Sequence, residues 1–230
     1  MPRRPSQPPP ISRRERPAKP ALTYEGIVAT AVGLMRAEGL QRVTMRRLAQ
    51  ELDTGAASLY VYVANTAELH AAILEDLLGA VDLRPAKAEG DWQDRLVAIL
   101  FSYTKVLFEH SALAHSALVA RPSGPNYLSA VEAILELLHE GGMPDAQAAW
   151  ALDVLLQVAT ATAAEQSVRD ENEAADEELD ALLKVMRGAD ESSYPRIAAI
   201  GEELFSGTPE ERLGWTFRAL INGSLSTPRI

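Results

Sequence analysis

The chain has 230 residues, is 47% hydrophobic and 6% aromatic, and carries a formal net charge of −10. A chain of this length can bury a full core in one or two domains, and its richness in alanine and leucine favours helices. It contains no cysteine, which excludes disulfide frameworks, thiolate metal sites and cysteine nucleophiles. No apolar run reaches the roughly 18 residues of a membrane span and no signal core follows the N-terminal arginine pairs, so we expect a soluble, cytoplasmic protein that binds no membrane.

The charge is unevenly distributed along the chain. Residues 1–64 hold ten Lys/Arg and five Asp/Glu, a net charge of +5, whereas residues 65–230 hold twelve against twenty-seven, a net charge of −15. A basic N-terminal part followed by an acidic remainder is expected of a DNA-binding protein with a separate regulatory domain. Residues 1–22 hold six Lys/Arg, one Glu and seven prolines, and this composition predicts a disordered basic arm. The arm is either a solvated tail or an extension that contacts phosphates or the minor groove.

The first predicted helix begins after Thr23 and ends at Gly39. Threonine is a good N-cap, and glycine is the usual residue just past the end of a helix. Its apolar residues recur at helical spacing and form one stripe, made of Ile27, Val28, Ala31, Leu34 and Met35.

Residues 43–69 predict two short helices around a tight turn. Thr44 caps the first of them, and the helical period breaks at Asp53. A second short helix follows at residues 56–63. Asn65 then caps a third helix, and a glutamate three residues later completes a capping-box arrangement. This is the layout of a helix-turn-helix, whose second helix enters the DNA major groove; an ordinary helical hairpin with solvated arginines is the alternative.

The side chains of this region suit DNA binding. Arg46 and Arg47 lie in the first turn of a helix, where their charge opposes the macrodipole, so we expect them to bind phosphate or a guanine edge. Hydroxyl groups can reach phosphates from Thr44, Ser58, Tyr60 and Tyr62, as can the N–H groups of the helix start at Asn65. Ala56 and Ala57 can offer methyl contacts to thymine. The candidate DNA-binding residues are Thr44, Arg46, Arg47, Ala56, Ala57, Ser58, Tyr60, Tyr62 and Asn65.

These residues resemble a known family. The pattern is Thr44-x-Arg46-x-Leu48-Ala49, then Ser58-Leu59-Tyr60-x-Tyr62-Val63-x-Asn65, and it is similar to the DNA-binding domain of the tetracycline-repressor (TetR) family. The pattern departs from the family at two positions. Asp53 stands where glycine is usual, although aspartate tolerates a left-handed conformation. Thr66 stands where many members have a phosphate-contacting lysine.

The remainder of the chain predicts helices and no strands. The helix after Asn65 runs towards Val81 and leads out of the helix-turn-helix, which makes it the natural mechanical link to the body. A connecting loop is expected at 83–90, and residues 169–192, with nine Asp/Glu against three Lys/Arg, predict a mobile, solvated excursion with a modest helical pattern. Further helices are predicted at 92–110, 112–120, 126–140, 146–168 (capped by Asp145), 194–205 and from a capping box at Thr208 to about 223. We therefore predict an all-α protein with a three-helix DNA-binding domain at 23–69 and a helical effector-binding and dimerisation domain at 70–230.

The body also resembles the C-terminal domain of the tetracycline repressors proper. The resemblance rests on GDWQDRL at 90–96, the region of His110, Arg121-Pro122, Tyr127 and the helix that reaches Glu165-Gln166. It implies that residues 146–168 and 209–225 pair with their copies in a four-helix homodimer interface. Small residues would permit close approach there, namely Ala148, Ala149, Ala159, Ala161, Gly214, Ala219 and Gly223. A monomer is the alternative, but it would read only one half-site.

The same resemblance implies a small-molecule pocket that differs from that of the tetracycline repressors. The metal-ligand histidine falls at Ala117, and other polar drug-contacting positions fall at Ile99, Ala120 and Ala133. Glu165 matches a family position near the metal. One carboxylate without the histidine is a poor magnesium site, so we expect no metal or other cofactor. We expect a mostly apolar pocket with polar anchors at Tyr103, Gln157 and Glu165; the alternative for each anchor is ordinary core or surface polarity.

Enzymatic motifs are not found in the sequence. The four histidines, His70, His110, His115 and His139, have no metal-ligand spacing, and no G-x-S-x-G elbow or glycine-rich phosphate loop occurs. We therefore predict a transcriptional repressor that binds a palindromic double-stranded DNA operator as a homodimer and is released by a small, largely hydrophobic effector. An activator, a corepressor-dependent regulator and an enzyme acting on a hydrophobic small molecule are the alternatives.

Overall fold

The computed structural model describes residues 21–110, 113–114, 117–118, 122–172 and 174–229, of which 167, 170 and 171 as backbone alone. These ranges contain ten α-helices and no strand, which confirms the predicted all-α class. The helices are α1 (Tyr24–Glu38), α2 (Met45–Glu51), α3 (Ala56–Leu59), α4 (Thr66–Leu78), α5 (Trp92–Glu109), α6 (Pro125–Glu140), α7 (Asp145–Glu171), α8 (Ala175–Arg187), α9 (Pro195–Ile200) and α10 (Pro209–Ser226). None of the helices in these ranges combines the length and the apolar character that a membrane span requires.

The first helix begins and ends as predicted. Thr23 Oγ1 accepts a hydrogen bond from Gly26 N at 3.0 Å. Gly39 adopts φ +87°, which a residue with a Cβ rarely adopts, and its N–H donates to Met35 O. The predicted apolar stripe is buried, so α1 packs on the helices that follow it.

The turn of the helix-turn-helix depends on Asp53. Asp53 has φ +48° and is the only residue other than glycine with positive φ in the described ranges, as its place at a usual glycine position suggested. Helix α3 is shorter than the predicted 56–63: regular helix ends at Leu59, and a turn follows. Leu59 and Val63 are both fully buried, and the backbone hydrogen bond from Val63 N to Leu59 O keeps this turn closed.

The body is built around α5. It packs against α6, α7 and α10, and α4 packs against α6. The contact side of α7 is made of small and apolar residues, with Leu155, Ala159 and Ala163 all at 0% exposure. Small side chains allow helices to approach closely.

Several predicted boundaries need correction. Pro144, not Asp145, is the N-cap of α7, and the Asp145 side chain is fully exposed. The predicted loop at 83–90 contains a 3₁₀ turn, Arg84–Lys87. The acidic region at 169–192 contains α8, none of whose residues is buried, so the expected solvation and helical pattern are both found there. Most of the helix predicted at 112–120 lies outside the described residues.

The last helix follows its prediction closely. Thr208 Oγ1 accepts from Glu211 N at 3.1 Å, and Glu211 Oε2 accepts from Thr208 N at 2.7 Å, which completes the capping box. The helix continues three residues further than predicted, to Ser226.

Candidate DNA-binding surface and effector cavity

The two adjacent arginines of α2 differ in what they contact. Arg46 is exposed and takes part in no ion pair among the described residues. Arg47 donates to Glu38 from Nη2 at 2.5 Å and from Nε at 3.2 Å, and to Glu51 from Nη1 at 2.8 Å. These hydrogen bonds raise the pKa of Arg47. The two that Glu38 accepts lower the pKa of Glu38. The Arg47 guanidinium therefore ties α1 to α2, and this use within the protomer argues against direct DNA contact.

Thr44 and Asn65 serve as the predicted N-caps. Thr44 Oγ1 accepts from Arg47 N at 3.2 Å, and Asn65 Oδ1 accepts from Glu68 N at 2.9 Å. Glu68 Oε2 accepts from Ala64 N at 2.6 Å, one residue earlier than a capping box requires. Phosphate oxygens accept hydrogen bonds but do not donate them, so the O–H group of Thr44 and the side-chain N–H groups of Asn65 are the groups suited to a DNA phosphate.

The surface of α3 and the turn after it is exposed. Ala57, Ser58 and Tyr60 are all exposed, and Ala56 is half-buried against the core. Val61 has the highest exposure among the large apolar side chains of the described residues, at 80%, and the sequence reasoning did not include it. Its exposure could have been predicted from the sequence. Leu59 and Val63 take the inward positions of this segment, and Val61, midway between them, then lies on the opposite side.

Tyr62 is used differently from the other candidates. Its hydroxyl donates to the Leu22 carbonyl at 2.8 Å, so it holds the start of the described chain against the segment after α3. Leu22 is the last residue of the predicted disordered arm, but it is partly buried against the core; residues 1–20 of that arm lie outside the described residues. The head, which we define as residues 23–64, carries four Arg against four Asp/Glu. The net charge of +5 for residues 1–64 therefore equals the contribution of residues 1–22, which have six Lys/Arg and one Glu.

The structure does not bring together the six predicted effector residues that it describes. Tyr103, Ala117 and Gln157 line one cavity of about 370 Å³, which we name the inner cavity. Glu165 lines a larger cavity of about 840 Å³ between α5, α7 and the start of α10, and its carboxylate accepts from Arg169 Nη2 at 2.6 Å. Two others are elsewhere: Ile99 is fully buried in the core, and Ala133 lines a shallow groove on α6. Ala120 lies outside the described residues.

The inner cavity is a mixed apolar and polar site. Seven of its twelve described lining residues are apolar, and five are polar: Tyr103, Tyr127, Asp153, Gln157 and Thr160. The Tyr103 hydroxyl lies 3.3 Å from Thr160 Oγ1, and burial raises the pKa of Tyr103, so this tyrosine is neutral at pH 7. Sequence reasoning missed Asp153 and Thr160. They lie one turn of α7 on either side of Gln157, a helical spacing that could have identified them.

The inner cavity touches the helix that leads out of the head. Leu74 of α4 and Tyr127 of α6 are both part of its wall. The next residue of α4, Glu75, accepts from Asn126 N at 2.6 Å and from Tyr127 N at 3.2 Å. The wall of the cavity therefore adjoins the site at which α4 is hydrogen-bonded to the first turn of α6.

Metal ligands do not cluster in the described part of the chain. It contains no group of three or more His, Cys, Asp or Glu side chains that could hold a metal ion. Glu165, the one carboxylate expected near a family metal position, is paired with Arg169.

The predicted dimer helices expose three large apolar side chains. Trp150 and Val154 of α7 are 56% and 36% exposed, and Trp215 of α10 is 72% exposed. Only four of the seven small residues predicted at a dimer interface are exposed. Ala148, Ala159 and Gly214 are buried within the chain, whereas Ala149, Ala161, Ala219 and Gly223 are exposed. The first three serve the packing of α7 and α10 in their own chain.

Comparison with known proteins gives consistent matches over both parts of the chain. Residues 27–73 match the family described as "Bacterial regulatory proteins, tetR family", and residues 84–222 match "Tetracyclin repressor-like, C-terminal domain". The HTH-type transcriptional repressor DrrR1 of Streptomyces coeruleorubidus is 28% identical over 92% of this chain and 80% of its own. The solved structure of the transcription regulator SCO7704 from Streptomyces coelicolor is 57% identical, with a TM-score of 0.76 over 92% of this chain and 98% of that chain. ActR of Streptomyces coelicolor, solved in complex with actinorhodin, is 34% identical, with a TM-score of 0.77 over 90% and 97% of the two chains.

Proposed function

Since the chain belongs to the tetR family of bacterial regulatory proteins and is a helix-turn-helix transcriptional repressor, we propose that it binds a palindromic operator as a homodimer and is released by a small molecule. The observation that carries the proposal is the inner cavity, because its wall includes Leu74 of α4. A molecule in this cavity contacts the helix on which the head is mounted. Binding can then favour a separation of the two heads that no longer fits successive major grooves.

The exposed surface of the head supports the DNA-binding part of the proposal. Arg46, Ser58 and Tyr60 point away from the core, and their groups suit a guanine edge and phosphate oxygens. Ala57 and Val61 offer apolar contacts to thymine methyl groups. The protein acts where its operator is, so we place it in the cytoplasm.

The exposed face of α7 and α10 supports a homodimer. These helices pack side by side, and Trp150, Val154 and Trp215 are exposed on them. Large exposed apolar patches mark association surfaces. A second copy of the chain provides the second half-site contact that a palindrome requires.

The inner cavity supports an effector whose apolar part packs on the seven apolar lining residues and whose polar groups bind among the five polar ones. Its volume of about 370 Å³ lies within the range of small-molecule sites. Apolar burial contributes roughly 25 cal/mol per Å², and the Gln157 amide provides a point of orientation. Actinorhodin, which the similar ActR binds, is a first compound to test. No observation on the described residues favours catalysis over binding.

The test begins with selection of binding sites from random DNA. We expect a palindrome whose half-site centres lie about one helical turn apart. Operator release by actinorhodin should then be insensitive to EDTA, and Gln157→Ala should weaken release more than it weakens DNA binding. Sites without symmetry would contradict the homodimer. Release by micromolar tetracycline with magnesium, abolished by EDTA, would contradict the metal-free effector.

A further inference from the structure

We propose that Glu75 is the residue that couples the inner cavity to the orientation of α4, by holding the first turn of α6 with its carboxylate. The proposal rests on the proposed function, since it names how that cavity acts on the head. Glu75 lies half-buried on α4, 51 residues before the backbone group that it binds most closely.

The contact is a helix cap supplied by another helix. Glu75 Oε1 accepts from Asn126 N at 2.6 Å and Oε2 accepts from Tyr127 N at 3.2 Å. In the other direction, Asn126 Nδ2 donates to the Glu75 carbonyl at 2.9 Å. The first N–H groups of a helix have no partner within it, and the N-cap of α6, Gly124, has no side chain to offer. The negative charge of Glu75 also lies at the positive end of the α6 dipole.

Gly124 is required by this contact. A Cβ at residue 124 would lie 2.4 Å from the Cδ atom of Glu75, far inside van der Waals contact. The backbone of Gly124 itself has φ −89°, which any residue can adopt. The glycine therefore makes room for the carboxylate and is not needed for the turn.

The neighbours of the cap form the wall of the inner cavity. Leu74 precedes Glu75, and Tyr127 carries one of the two bonded N–H groups; both side chains line the cavity. A molecule that changes the distance between Leu74 and Tyr127 therefore acts on α4 and α6 beside the hydrogen bonds that Glu75 makes. Because Glu75 lies nine residues after the start of α4, a tilt of about 10° there displaces the start of the helix by roughly 2 Å.

The first test measures the cap itself. Glu75→Gln keeps the shape of the side chain but removes its charge and one acceptor oxygen. Asp76→Asn is the matched control, because it makes the same charge change at the exposed neighbouring residue. Hydrogen exchange at the amides of Asn126 and Tyr127 should become about tenfold faster or more in Glu75→Gln and remain unchanged in Asp76→Asn. Gly124→Ala displaces the carboxylate without changing it and should give the same acceleration; unchanged exchange in both variants would overturn the proposal.

The second test measures the coupling to the head. The chain has no cysteine, so Ala29→Cys on the exposed side of α1 accepts a single spin label, and pulsed dipolar spectroscopy of the full chain reports the distance between two heads. We expect Glu75→Gln and Gly124→Ala to broaden or shift this distribution and to raise the operator Kd several-fold, with Asp76→Asn unchanged. An unchanged distribution and Kd in a dimeric Glu75→Gln protein would refute the coupling alone. Absence of a dipolar signal in the labelled parent protein would instead refute the homodimer.

Discussion

Two neighbouring arginines show how far residue type alone decides a role. Arg46 and Arg47 occupy successive positions in the first turn of α2, and both carry a charge that opposes the helix dipole. The compensation for Arg47 is internal, since Glu38 and Glu51 both accept hydrogen bonds from it. No described residue compensates Arg46 in this way, and we therefore assign base or phosphate contact to Arg46 and a positioning role to Arg47.

Replacing Arg46 should change sequence preference. Arg46→Ala is expected to weaken operator binding by roughly 1–3 kcal/mol and to relax the preference at one position of each half-site. Binding-site selection with the variant and the parent protein measures this directly. If both select the same sequences with the same stringency, Arg46 does not read a base.

Replacing Arg47 should instead reduce stability without changing sequence preference. The hydrogen bonds from Arg47 lower the pKa of Glu38 below its ordinary value of 4.5. The ion pair therefore stabilises the fold fully above pH 4.5. This stabilisation disappears as the pH falls through the lowered pKa. Arg47→Ala should therefore lower the thermal unfolding midpoint at pH 7 and have little effect in strong acid. Arg42→Ala, at an exposed residue, is the control; a midpoint that falls equally in both variants would remove the special role of Arg47.

At the scale of the element, the turn between α2 and α3 sets the geometry of the helix-turn-helix. Its left-handed residue is Asp53, at φ +48°. Leu59 and Val63 then anchor the short α3 and the turn after it in the core. The recognition segment is thus held by its two buried residues rather than by helix length, since four residues alone cannot stabilise a helix.

Substitutions at Asp53 can separate backbone strain from side-chain contacts. Asp53→Ala and Asp53→Gly both remove the carboxylate, but only alanine retains the cost of a left-handed conformation. We expect the alanine variant to be less stable than the glycine variant by about 1 kcal/mol, measured by chemical denaturation. Equal stabilities would mean that the turn relaxes to a different conformation.

At the scale of the whole molecule, the basic charge and the folded head are separate. The head carries equal numbers of Arg and of Asp/Glu, and residues 1–22 provide the net charge of +5. The acidic body, at −15 for residues 65–230, repels DNA at long range. Sequence-independent affinity should then depend on the arm more than on the head.

Removing the arm tests this division. A chain that starts at Ala21 should bind the operator less tightly, and its log–log salt dependence should be shallower by about 0.9 for each phosphate that the arm neutralises in the full chain. Titrations at several salt concentrations, with the full chain as reference, measure the slope. An unchanged slope would show that the arm is a solvated tail.

The all-α class, the family and most helix starts could be predicted from the sequence, whereas the end of α3 and the cap of α7 could not. Helix starts and ends depend on interactions within a few residues, such as the cap at Thr23, the capping box of Thr208 and Glu211, and the positive φ of Gly39. The all-α class and the helix-turn-helix follow from apolar spacing, which is also local. The left-handed Asp53 could be anticipated from the family resemblance, because it stands at a position where glycine is usual.

Contacts between side chains that are distant in the sequence became evident only in the tertiary structure. The Arg47 guanidinium reaches Glu38 on another helix, the Tyr62 hydroxyl reaches Leu22, and Glu75 caps a helix 51 residues away. The six expected effector residues that the structure describes are distributed over separate cavities and the core, because position-by-position comparison does not encode how each helix is rotated about its axis. Periodicity shows that a helix has a buried face, but the partner of that face is set by packing between residues that are distant in the chain.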